Sequence, residues 1–262
     1  MTAFYETLFS VKDQVALVTG GTRGIGLMIA EGLVRGGARV YVASRKLDAC
    51  EATEAELSKV GFCKAIPSDL STLDGCQALA THLAGVEDSL HLLVNNAGLT
   101  WSLDIDEFTE KAWDRVVDLD VKSPFFLVQA LLPMLRAGAS PSKRSNIINI
   151  TSVNGLKPSG LRNYSYVAAK AGLAQLTAQM AKDLMADNIN VNAIAPGPFK
   201  SKMTAPLYAT EEMDAQVTQG FPMKRWGRME DIAGLTIFLA SQAGSYITGM
   251  EIPCDGGSTT TS

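Results

Sequence analysis

Short apolar runs of the kind that make buried strands recur along this chain, and a segment with helical character follows nearly every one. The runs at 14–19, 38–43, 63–66, 90–94, 146–150, 189–194 and 250–253 read as near-continuous apolar stretches. A sheet covered on both faces requires strands of this kind. Between them, 25–36, 47–60, 72–87, 107–136, 164–185 and 229–240 read as helices. Parallel neighbours need a crossover, and helical crossovers cover both faces of a sheet. The alternation therefore predicts an α/β fold: one doubly wound parallel sheet of about seven strands, with helices on both faces, in a single domain spanning 1–262. Residues 1–12 read as a loose N-terminal extension. Residues 198–224 break the rhythm, with Pro198, Pro206 and Pro222 among Met203, Leu207, Tyr208 and Phe221. That stretch is too long for an ordinary connection and follows a strand's carboxyl end, so it is expected to be a substrate lid.

The bulk properties narrow the classes of partner. Hydrophobic residues make up 47% and charged residues 19%, which is globular rather than disordered. The net charge of −4 argues against nucleic acid as the main partner. No apolar run approaches the ~18 residues of a membrane span. Cys50, Cys63, Cys76 and Cys254 have no metal-ligand spacing, and no signal peptide is recognised, so free thiols in a reducing, cytoplasmic compartment are expected. His82 and His91 are too isolated for a zinc site, and no metal is expected.

Between the first strand and the first helix lies Thr19-Gly20-Gly21-Thr22-Arg23-Gly24-Ile25-Gly26. The spacing is G-x-x-x-G-x-G rather than G-x-G-x-x-G, but the physics is shared. Glycine allows a tight turn, lets backbone approach a pyrophosphate and directs helix N–H groups at the anion. A glycine-rich turn alone could be structural, but strand–turn–helix placement favours a dinucleotide site, with Gly20, Thr22, Arg23, Gly24, Ile25 and Gly26 as its expected contacts. The second strand ends at Ala43-Ser44-Arg45-Lys46, with no carboxylate to accept from a ribose 2′-OH. Arg23 and Arg45, beside Ser44, suit a 2′-phosphate, so NADP(H) is expected over NAD(H). Asp48 reads as the cap of the next helix.

Tyr166 and Lys170 are four residues apart in a helical stretch, which puts both on one face. A fixed ammonium beside a tyrosine favours the phenolate and makes the pair useful in acid–base chemistry. Ser152, fourteen residues before the tyrosine at a strand end, can hold a carbonyl oxygen. The set suits reversible reduction of a ketone by a bound hydride donor.

In order along the chain stand Thr19 to Gly26, Asp69-Leu70, Asn95-Asn96-Ala97-Gly98, Ser152, Tyr166 with Lys170, Pro196-Gly197 and Asp255-Gly256-Gly257. This ordered set resembles the short-chain dehydrogenase/reductase family over essentially the whole chain. The resemblance implies a single Rossmann-like domain and a homotetramer. It implies that Asp69 and Leu70 flank the adenine, that Asn95 supports the central strand, and that Asn96, Ala97 and Gly98 line the cofactor. Pro196, Gly197, Phe199 and Ser201 match the segment that cradles the nicotinamide. Ser152 would orient the carbonyl, Tyr166 would be the general acid in reduction, and Lys170 would favour its phenolate and bind the nicotinamide ribose. At one position the chain departs from the family: Asp120 stands where the fourth catalytic residue is an asparagine. The family uses that residue through its backbone carbonyl, which an Asp can keep in place. An ionised Asp also sets a negative charge near Lys170, and an altered pH optimum is expected.

Within the family the likeness is to 3-oxoacyl-[acyl-carrier-protein] reductases of the rhamnolipid-associated branch. It is carried by 26–33, 190–197 and 222–228, of which the first two also occur widely in members acting on other ketones. Trp101, Asn154 and Met203, with Ser152, are expected to face the substrate; with Leu207 and Phe221 they would make a partly apolar pocket, unless the apolar ones only pack the lid. The expected reaction is hydride transfer from NADPH to a small-molecule ketone or 3-oxoacyl thioester. The alternatives are the same chemistry on a polyol, cyclic or steroid-like ketone, and a non-catalytic NADP-binding sensor or scaffold.

Overall fold

Each apolar run becomes a strand that can bury side chains on both of its faces. In the computed structural model, which describes residues 2–158 and 160–261, the strands are β1 (Val15–Thr19), β2 (Arg39–Ser44), β3 (Cys63–Pro67), β4 (Leu92–Asn95), β5 (Ser145–Ile150), β6 (Ile189–Pro196) and β7 (Glu251–Cys254). They lie side by side as β3-β2-β1-β4-β5-β6-β7, every pair parallel. Every residue of β1, β4, β5 and β6 is buried, as strands covered on both faces must be. Successive side chains point to opposite faces, so each strand feeds two cores. Val15 and Leu17 join Tyr41, Leu93, Ile147 and Val191 on one face; Ala16 and Val18 join Val40, Leu92, Val94 and Ile194 on the other.

The helices are α1 (Thr2–Leu8), α2 (Gly24–Arg35), α3 (Leu47–Leu57), α4 (Leu73–Ala84), α5 (Glu110–Val117), α6 (Ser123–Gly138), α7 (Val153–Leu156), α8 (Tyr164–Leu184), α9 (Glu211–Gly220) and α10 (Met229–Ala240). The first core takes Leu79 and Leu83 of α4, Leu127 and Leu131 of α6, and Met180 of α8. The second takes Ile29 and Leu33 of α2, Leu57 of α3, and Ile232 and Leu239 of α10. Threonines start three of the helices: the hydroxyls of Thr72, Thr109 and Thr210 accept from Gly75, Ala112 and Met213 N–H at 3.1, 3.2 and 3.2 Å.

Three expectations change. The N-terminal segment is not loose, because α1 spans Thr2–Leu8. The stretch at 107–136 is not one regular helix. Between α5 and α6 the chain makes a π-turn at Asp118–Lys122, in which Ser123 N–H donates to the Asp118 carbonyl five residues back. Pro124 explains the local break: having no N–H, it cannot complete the α-helical bond to the carbonyl of Asp120, four residues earlier. Asp48 does not cap α3, whose cap position is Lys46; Asp48 sits in the first turn, where a negative charge still suits the helix end. The segment after β6 carries its own structure, including α9, and returns to the body through a bridge between Phe199 and Gly227. All four cysteines are free thiols. Burial pushes Cys63 and Cys254 up to about 11, which makes both poor nucleophiles.

Candidate active site

The strand order reverses between β1 and β4, and at the carboxyl edge of such a sheet that switch point opens a crevice. The glycine turn lies on its floor. Gly20 has φ of +64°, the left-handed region in which a Cβ is strained. A Cβ on Gly26 would stand 2.3 Å from Nδ2 of Asn96, so only glycine allows the loop after β4 to press against the turn. Asn96 uses its amide to brace that turn, donating to the carbonyls of Thr19 and Gly20 at 2.9 and 3.3 Å. Its own N–H and that of Ala97 both donate to the Thr19 hydroxyl at 2.9 Å. Asn96, expected on the cofactor, thus spends its side chain on the loop that would carry the cofactor. Thr19 is the residue that joins the two loops, and its role was hidden because a threonine at a strand end has no distinguishing pattern.

The remaining dinucleotide residues gather around this floor. Arg23, at the cap position of α2, makes no side-chain cap, so the first-turn N–H groups have no side-chain acceptor and suit an anion. Thr22 donates to the Ser44 hydroxyl at 3.1 Å, tying the turn to the end of β2. Arg23 and Arg45 are exposed. The glycine cradle, the uncapped helix and the two arginines fit a phosphorylated dinucleotide. Ser201 folds back against the turn, its Cβ 3.3 Å from where a Cβ on Gly24 would be. Gly197 N–H donates to the Cys254 carbonyl at 3.0 Å, and Phe199 is buried with Ile25 in the second core. Asp69 accepts from the Ser71 N–H and hydroxyl. Partial burial alone would raise its carboxyl, but those bonds and the fields of Arg45 and Arg115 hold it below its ordinary value. The side chain of Leu70, expected beside the adenine, is instead buried in the first core.

Lys170 is buried at the carboxyl end of β5, its ammonium donating to the Ile150 carbonyl at 2.9 Å. The Tyr166 ring centroid lies 5.5 Å from the same nitrogen. Asp120, fully buried, places Oδ2 3.1 Å from Lys170 Nζ, while Oδ1 accepts from Leu99 N–H at 2.9 Å. A Cβ on Gly98 would come within 2.9 Å of Oδ2, so the loop after β4 needs glycine there to admit the carboxylate. Burial pushes the Asp120 carboxyl up, and Lys170 and the Leu99 N–H pull against it. Burial alone would push Lys170 down, but Asp120 and Tyr166 outweigh it and hold the ammonium above its ordinary value. Ser152 is buried at the start of α7, its hydroxyl accepting from Asn154 N–H at 3.1 Å. The α7 backbone packs directly on α8 beside Lys170. Serine, tyrosine, lysine and aspartate, drawn from a span of 50 positions between Asp120 and Lys170, therefore meet at one edge of the sheet.

Residues 20–259 match the family model described as enoyl-(acyl carrier protein) reductase. The chain is 45% identical to the rhamnolipids biosynthesis 3-oxoacyl-[acyl-carrier-protein] reductase of Pseudomonas aeruginosa, over 95% of this chain and 97% of that protein. It is 37% identical to 2-dehydro-3-deoxy-D-gluconate 5-dehydrogenase of Escherichia coli, over 95% and 96%. The solved Pseudomonas aeruginosa RhlG/NADP active-site complex superposes with a TM-score of 0.93 at 45% identity, covering 96% of this chain and 98% of that one. The chain belongs to the short-chain dehydrogenase/reductase family. It is an oxidoreductase of that family.

In this short-chain dehydrogenase/reductase the expected substrate residues are only partly gathered. Trp101 packs with Leu99 and Val121 against the cluster of Val116, Tyr166 and Ala169. Asn154 is half-buried in α7, next to Ser152. Met203 and Leu207 are exposed in the segment after β6. Phe221 instead packs edge-on against Trp226 at 5.1 Å between centroids, as does Tyr208 at 5.6 Å. Trp226 donates to Asp214 at 2.5 Å, and Lys200 pairs with the same carboxylate. The segment thus has a small core of its own, and Phe221 belongs to that core. The chain of polar groups that seats this edge also escaped the sequence: Asn95 donates to Asn149 at 2.9 Å, and Asn149 donates to Thr177 at 2.8 Å.

Proposed function

We propose that this oxidoreductase reduces a ketone with NADPH, and that the ketone is a 3-oxoacyl thioester, giving a 3-hydroxyacyl product. The observation that carries the chemistry is the buried Lys170 ammonium beside Tyr166 and Ser152, at the mouth of a glycine-floored crevice. NADPH is favoured by Arg23 and Arg45 at the end of a β2 strand that has no carboxylate. The substrate class is supported by the 45% identity to a 3-oxoacyl-[acyl-carrier-protein] reductase. A second reading, a sugar-acid ketone, is favoured by the 37% identity to the Escherichia coli dehydrogenase.

In this reading the turn from Gly20 to Gly26 and Ser44, Arg45, Asp69, Ala97 and Gly98 hold the cofactor, with Pro196, Gly197, Phe199 and Ser201 at its nicotinamide end. NADPH, when bound, supplies the hydride. Ser152 Oγ donates to the ketone oxygen and fixes the carbonyl. Tyr166 Oη gives that oxygen its proton. Lys170 stabilises the phenolate left behind, and Asp120 holds the lysine charged and in place. The segment at 198–224 closes over the substrate as a lid and excludes water. The protein works as a homotetramer, with α5, α6 and α8 in one interface and the end of β7 near another.

The test follows NADPH oxidation in the nicotinamide absorbance band with 3-oxoacyl thioesters of short to medium chain, beside sugar-derived and cyclic ketones, with NADH in parallel. Thioester turnover with a preference for NADPH is the expected result. Turnover on other ketones alone would keep the chemistry and discard the thioester. NADPH binding without turnover of any ketone would discard the reductase reading in favour of a cofactor-binding sensor.

A further inference from the structure

Arg115 lies on α5, exposed, with its guanidinium 5.5 Å over the Trp101 ring. Among the described residues no hydrogen bond or ion pair occupies it, whereas its neighbour Asp118 is paired with Lys122. Trp101 packs in turn against the small cluster that Tyr166 forms with Val116 and Ala169. The Asp69 carboxyl, in the loop after β3, feels its field. The cation therefore sits over the loop after β4, whose Leu99 N–H meets Asp120, and it faces solvent. Stacking on an indole restrains a guanidinium while leaving its N–H edge free, and that edge matches an oxyanion.

We propose that Arg115, seated on Trp101, is an anion subsite for the substrate: it holds an oxyanion that the ketone carries away from its reacting carbon. The group is the phosphodiester of a phosphopantetheine arm or the carboxylate of a sugar acid. The inference rests on the ketone-reductase reading and extends it to the charged part of the substrate. A contact of this kind to a charged group accounts for roughly a tenfold change in affinity.

The experiment compares 3-oxoacyl thioesters of 4′-phosphopantetheine and of pantetheine, which differ by the phosphate, in the parent, Arg115→Gln and Arg115→Lys proteins. The parent is expected to show a KM about tenfold lower for the phosphorylated arm. Arg115→Gln erases that difference, Arg115→Lys retains part of it, and the KM for NADPH does not follow the substitution. A parallel arm measures oxidation of 2-dehydro-3-deoxy-D-gluconate with NADP+; a KM raised by Arg115→Gln there alone assigns the subsite to the carboxylate. Calorimetry of 4′-phosphopantetheine and of the sugar acid with NADP+-loaded protein reads the same contact without turnover. Equal KM values for the two thioester arms, with a sugar-acid KM indifferent to Arg115→Gln, overturn the subsite and leave the thioester reading standing. A KM change for NADPH instead gives Arg115 to the cofactor and also overturns it. No thioester turnover, with an Arg115-dependent sugar-acid KM, removes the thioester and keeps the subsite. Calorimetry that is identical for parent and Arg115→Gln with both ligands overturns the subsite whatever the turnover.

Discussion

A carboxylate with no exposed surface is costly unless a cation and a donor meet it, and Asp120 has both, in Lys170 and the Leu99 N–H. Replacing Asp120 with Asn removes the negative neighbour that holds the Lys170 ammonium up but leaves its burial, so Lys170 loses its proton at lower pH. The alkaline limb of the kcat/KM profile for ketone reduction is then expected to move to lower pH; superimposable profiles would remove the carboxylate from the proton path. Tyr166→Phe tests the acid itself. It is expected to cost about 10²–10⁴-fold in kcat, with NADPH affinity retained, as read by single-turnover kinetics and calorimetry. At this scale the sequence was most legible where chemistry depends on spacing within one helix, as for Tyr166 and Lys170. It was least legible where a side chain's direction depends on the partner element. Leu70 turned into the core, Asn96 turned back on the glycine turn, and Arg115 shows nothing in sequence of the ring beneath it.

The elements that place these side chains are tied by polar groups that the core cannot leave unpaired. Thr177 of α8 accepts from Asn149 of β5, which accepts from Asn95 of β4, so two strands and a helix are tied together below the edge where Lys170 meets Asp120. Thr177→Val would leave the Asn149 amide without its acceptor, at a cost of about 1–3 kcal/mol. For a chain of this size that corresponds to a fall in Tm of roughly 2–12 °C, measurable by scanning calorimetry. An unchanged Tm would mean the amide finds another acceptor. The strands and most helices could be read from the sequence because buried parallel strands are plain apolar runs. The short helix α1 could not, since seven residues without a deep apolar face carry little periodic signal. The π-turn was also missed, although Pro124, set four residues after Asp120, marks the carbonyl that an α-helix would fail to pair.

Across the whole molecule, the outer face of α5 and the start of α8 leave aromatic surface uncovered. Trp113 and Tyr164 are 41% and 39% exposed, and both make edge contacts with Phe108. Single exposed apolar residues are ordinary, but a contiguous aromatic group suits the subunit contact proposed for these helices. Trp113→Glu is expected to lower the mass seen by sedimentation equilibrium while leaving the monomer folded by circular dichroism. A mass that does not change would move the interface elsewhere. That assembly was expected from the family resemblance, because surface composition says little about which face meets a copy.

The sheet order also has a consequence for how the chain is made. Strands β1, β2 and β3 come first and lie together, but the other edge of β1 pairs with β4, whose residues 92–95 are synthesised more than seventy positions later. While the ribosome bridges that gap, β1 presents a wholly buried-type apolar strand with one edge unpaired, the kind of surface on which nascent chains stick to one another. Leu92, Leu93 and Val94 close that edge, and the crevice for the dinucleotide comes into being with the same event. A newborn chain halted before β4 would therefore have its glycine turn but no pocket, and would depend on chaperones rather than on cofactor for protection.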